Sequence, residues 1–78
     1  MDKGSVITQA SHAKRILEDE TFIAAVAQVE ADIYTEWRTT ALGDDRMRSD
    51  LFHTLKGLER LKARLQATLD AGVLASRN

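Results

Sequence analysis

Seventy-eight residues carry eleven Lys or Arg against twelve Asp or Glu, a formal net charge of −1, which argues against a general nucleic-acid or membrane binder. With no cysteine and no proline, disulfides and thiolate zinc sites are excluded, and long uninterrupted helices are favoured over turn-rich folds. Hydrophobic content of 44% and charged content of 29% fit one small folded domain, residues 1–78, whose core is modest unless it associates.

In chain order, residues 1–8 read as a frayed arm, and Met1-Asp2-Lys3-Gly4-Ser5 lacks the basic and apolar regions of a signal peptide. A first helix is expected over about residues 11–19, with Ser5, Thr8 and Ser11 as alternative caps and Ala13, Ile16 and Leu17 as a short apolar edge. The run Glu18-Asp19-Glu20-Thr21 predicts a kink or break, because acids and a threonine favour a helix N-terminus. A second helix is expected over about 21–39, with Phe22, Val26, Val29, Ile33 and Trp37 as its core stripe. Gly43 suits a left-handed stop and Asp44 or Asp45 an N-cap. A third helix is expected over about 45–71, ended by Gly72, with a tail at 75–78.

The third helix holds the strongest pattern. Leu51, Leu55, Leu58, Leu61, Leu65 and Leu69 follow one another at steps of 4, 3, 3, 4 and 4, which places them on one stripe. A short connection between the second and third helices forces them antiparallel. The fold class is therefore all-α: an antiparallel helical hairpin with a short additional N-terminal helix.

Catalytic chemistry finds little footing. His12 and His53 stand apart from any metal motif and fit surface or boundary positions. Acid–base work needs carboxylates in contrasting environments within a cleft. Here Glu18, Asp19 and Glu20, like Asp44 and Asp45, fall at expected helix starts, where capping accounts for them. No glycine-rich phosphate loop or nucleophile elbow is present. The expectation is a protein that is not an enzyme, with no cofactor and no metal.

Two surfaces stand out. Lys56, Arg60 and Arg64 are four residues apart and share a helix face, a weak candidate for phosphates or an acidic partner. The plainer reading is a solvated face, partly paired with the acidic second helix. Ile23, Ala27, Tyr34 and Phe52 lie off the central seam and are apolar. They form the candidate protein interface, through which a lone hairpin would pair into a dimer or higher oligomer, or take a helix from another protein.

Several stretches together carry a family resemblance. They are Ala13 through Phe22, with Leu17-Glu18-Asp19-Glu20 before the phenylalanine; Glu36-Trp37-Arg38-Thr39-Thr40; Asp45 with Arg48; Leu55 through Gln66; and Gly72-Val73-Leu74-Ala75. Over about residues 10–75 the chain resembles a group of small helical proteins encoded by tailed bacteriophages and prophages among their virion-structure and DNA-packaging genes. The resemblance implies a virion-associated or assembly role through helix-mediated association, made in the host cytoplasm and incorporated in the virion. Its implied partners are further copies of itself or another phage virion protein. A DNA-associated packaging accessory, or a small regulatory or host-directed phage protein, is the alternative. No apolar run reaches the length of a membrane span.

Overall fold

The computed structural model describes residues 2–77. Among them are three helices and no strand: α1 (Lys3–Glu18), α2 (Glu20–Thr39) and α3 (Asp45–Ser76). Every one starts on an aspartate. The Asp2 carboxylate accepts the Ser5 N–H at 2.7 Å, Asp19 that of Phe22 at 2.9 Å, and Asp44 that of Met47 at 3.1 Å. Each bond satisfies a first-turn N–H that has no partner inside its helix.

Asp19 alone separates α1 from α2. Its backbone is extended, with ψ 123, and its N–H donates to the Ile16 carbonyl at 3.2 Å. The break has a geometric purpose. Val6, Ala10, Ala13 and Leu17 form one stripe at steps of 4, 3 and 4, and the next apolar positions are Phe22 and Val26. In an unbroken helix the five-residue step from Leu17 to Phe22 would throw the second stripe about 140° out of line. One extended residue resets the phase, so Ala10 and Ala13 in α1 and Val26 and Ile33 in α2 are all buried. After α2, Thr40 leaves the helix at ψ 144 and Gly43 turns the chain with φ 88, the one positive φ among the described residues. That turn needs a glycine because a Cβ would clash with its own backbone there.

The sequence expectations for both termini require correction. The supposed frayed arm is helical from Lys3, so α1 starts eight residues earlier than the expected residue 11. Asp2 supplies the cap that Ser5, Thr8 and Ser11 were expected to supply. Thr8 turns its hydroxyl back onto the Gly4 carbonyl at 2.9 Å and sits within the helix. At the other end Gly72 does not stop α3, which continues to Ser76 and takes in the first half of the expected tail. Gly72 is buried where α3 crosses α1, and a Cβ there would land on the Ala10 side chain. It is a contact glycine, not a cap. Met1 and Asn78, at the ends of the expected arm and tail, lie outside the described residues.

The leucine ladder is covered in two parts. α1 packs mostly against α3, and more extensively than α2 does, so the second helix covers only part of the ladder. Leu51 is 7% exposed, Leu55, Leu58, Leu65 and Leu69 are half-buried, and Leu61 is exposed. Leu61 follows two successive steps of three, which leave it about 120° behind Leu55 around the helix. Val29 and Trp37, expected in the core, are also largely exposed. The molecule measures 54 × 23 × 14 Å, so no third layer lies over these side chains. Its radius of gyration is 16.8 Å, against about 11.5 Å for a compact chain of this length.

Candidate protein-docking groove

The open side of α2 and α3 is most apolar near the connecting loop. Glu30, Tyr34 and Trp37 follow one another along α2 at steps of 4 and 3 and therefore share a face. With Phe52 of α3 they border a groove whose remaining lining is Ile33, Leu51 and Leu55. Tyr34 is 63% exposed, Phe52 50% and Trp37 42%. Three large rings thus stand in water around an apolar floor.

Each ring carries a cation. The Arg38 guanidinium lies 5.7 Å from the Tyr34 ring centre, that of Arg48 5.2 Å from Trp37, and the Lys56 ammonium 5.4 Å from Phe52. Such contacts hold a ring in one orientation and cover one of its faces. Arg48 also donates from Nε to the Thr40 hydroxyl at 2.9 Å, and that hydroxyl donates to the Trp37 carbonyl at 2.8 Å. The end of α2, the loop and the start of α3 are tied together at this point. Phe52 meets His53 edge to face at 5.7 Å. The groove is therefore apolar within and basic at its rim, with Glu30 as the acid of its border.

Of the four residues expected as an interface, the structure brings Tyr34 and Phe52 together. Ile23 and Ala27 are exposed on the same stripe of α2, three and two turns before Tyr34, and lie outside the groove. Trp37 belongs to the groove and was missed. Its four-residue step from Ile33 resembles a core continuation, and only the thinness of the molecule exposes it.

The basic face divides. Lys56 faces the Phe52 ring and pairs with Glu59 at 3.3 Å. Arg60 and Arg64 border a shallow depression with Gly57, Leu61, Ala63 and Ala67. The base that reaches the acidic second helix is Lys62, 4.0 Å from Glu30. At the α1–α2 break, His12, Arg15, Ile16, Asp19 and Phe22 line another open depression, where the Asp19 carboxylate is engaged as a cap. Among the described residues no helix is long and apolar enough to cross a membrane, and no cluster of three or more His, Cys, Asp or Glu could hold a metal ion.

No family model matches the chain, and no curated protein or solved structure matches it either.

Proposed function

We propose that this chain is a non-enzymatic association protein whose groove at Tyr34, Trp37 and Phe52 docks another helical surface. The observation that carries the reading is a groove bordered by large apolar side chains in water, with Tyr34 63%, Phe52 50% and Trp37 42% exposed, on a chain of large total surface. The accessible surface is 6030 Å², whereas a compact monomer of this mass exposes about 4,700 Å². Contiguous apolar patches on a soluble chain mark interaction sites. Aromatic rings and arginine are residue types enriched at such sites.

The proposed architecture is the antiparallel hairpin, with α1 and α2 laid end to end along one side of α3. Three observations support it. Ala10 meets the position of Gly72 at one end, and Trp37 meets Arg48 at the other. The Glu30–Lys62 pair falls between them. Residue numbers fall along α3 as they rise along α1 and α2.

The setting we propose is bacteriophage particle assembly, with the chain made in the host cytoplasm and carried into the virion. The resemblance of residues 10–75 to small phage proteins supports that setting. The DNA-accessory reading has less support, because three aligned bases on a chain of net charge −1 are a small footprint for a nucleic-acid site.

Co-sedimentation with assembled particles tests the proposal. The chain should join particles at fixed stoichiometry through a capsid, portal or tail protein. Phe52→Glu should abolish this, and neutralising Lys56, Arg60 and Arg64 should not. A sub-micromolar complex with duplex DNA at physiological salt, lost on neutralising those three bases, would reverse the ranking of the two readings.

A further inference from the structure

We infer that the occupant of the groove is a second copy of this chain, related by a two-fold axis parallel to the long axis of the molecule. This rests on the association reading above and names its partner. Under that symmetry α2 of each copy lies over α3 of the other, and the two hairpins close a four-helix bundle.

Area is the first argument. The chain exposes about 1,300 Å² more than a compact monomer of its mass. A stable interface needs roughly 800 Å² from each partner. Covering one broad face of the hairpin therefore removes most of the excess, and a second copy presents a face of matching length.

Register is the second. Ala10 lies at the height of Gly72, and Trp37 at that of Arg48. Stepping back along α2 from Trp37 sets Tyr34 level with Leu51 and Phe52, and Glu30 between Leu55, with which it borders the groove, and Lys62, its ion-pair partner. A two-fold axis along the molecule keeps these heights. Tyr34 then faces the second copy's Phe52, and Glu30 approaches the second copy's Lys56, each exchanging a half-exposed ion pair within its own chain, to Lys62 and to Glu59. The match is apolar on apolar and acid on base, and the symmetry makes it twice. An axis perpendicular to the helices, passing through the groove, would instead set α3 against α3, with Lys56 near the second copy's Arg48.

Trp37 is the only tryptophan in the chain and borders the groove, so its emission reports directly on cover. The test is sedimentation equilibrium of the full chain from dilute to concentrated solution, with Trp37 fluorescence and far-ultraviolet circular dichroism on the same samples. The expected result is a dimer whose formation shifts Trp37 emission to the blue. Phe52→Glu should give a helical monomer, and Tyr34→Asp serves the same purpose should the first variant lose its helicity. Glu30→Lys and Lys56→Glu should each weaken the dimer roughly two- to fivefold, and the two together should recover it.

A chain that stays monomeric at every concentration overturns the proposal. So does a dimer that survives Phe52→Glu with Trp37 emission unchanged, because it would use another face. If the monomer nonetheless joins particles in a Phe52-dependent way, the second copy is wrong and the association reading stands. If the dimer forms as described but Phe52→Glu still joins particles, particle association uses another surface, the groove's role in it fails, and the dimer stands.

Discussion

Where α3 passes α1, Gly72 leaves no side chain between its own backbone and Ala10; where it passes α2, Tyr34, Trp37 and Phe52 project half into water. The two ends of one helix are closed by opposite means. Small residues let the α1 end close tightly with little apolar area per residue, and Ala10, Ala13 and Gly72 are all buried there. Large residues at the α2 end hold the helices further apart, and a single layer of two helices cannot cover both sides of a large ring. Val26, Ile33 and Leu51 are buried in that seam, while the rings beside them stay open. The closed end therefore reads as the self-sufficient part of the fold. The open end reads as the part that gains most from a partner.

The largest expected effect tests whether the open end still contributes to stability by itself. Leu51 is the most buried of the six leucines and floors the groove. Leu51→Ala should cost about 2–5 kcal/mol through lost burial and a residual cavity. Urea denaturation followed by Trp37 fluorescence reads this at the same end of the molecule. A midpoint unmoved by the substitution would mean that the α1–α3 contact alone holds the fold.

The converse experiment attacks the closed end. Gly72→Val introduces branched bulk where even a Cβ meets Ala10. Overpacking of this kind costs about 1–3 kcal/mol. Hydrogen exchange should show α1 amides losing protection while those around Trp37 and Leu51 keep theirs. Uniform loss along the chain would show that the two ends form one cooperative unit, and the contrast drawn between them would dissolve.

The unequal legibility of the two ends has physical causes. The helical class, the break among Glu18 to Thr21 and the turn at Gly43 were readable, because each rests on a local rule: periodicity, capping or φ. The start of α1 was not read correctly. Serines and a threonine pulled the expected cap inward, although Val6, Ala10, Ala13 and Leu17 already carry the helical spacing. Gly72 was misread because a glycine near a helix end suits a stop and a close crossing equally well, and only the position of Ala10 decides between them. The groove was half legible. Tyr34 and Phe52 fall off the seam by angle, but Trp37 falls near it, and its exposure depends on how many layers the molecule has. No local pattern encodes that number.

The smallest expected effect sharpens the comparison by using a second glycine of the same helix. Gly57 lies within α3, exposed, and a Cβ added there would meet nothing within 4 Å. With no neighbour to displace, Gly57→Ala changes mainly the backbone entropy of the unfolded chain and the intrinsic helix preference. It should stabilise by about 0.5–1 kcal/mol. Gly72→Ala carries the same intrinsic gain but must push α1 away to make room, so its net effect should be destabilising. The two substitutions are chemically identical and lie fifteen residues apart in one helix. Opposite shifts in melting temperature would therefore isolate the cost of the α1 contact from helix propensity. If both variants melt higher, α1 gives way easily at Gly72 and the closed end is looser than its small residues imply. If Gly57→Ala melts lower, the exposed face of α3 at Gly57 is itself covered in solution, and the proposed dimer would have to be rebuilt around that face.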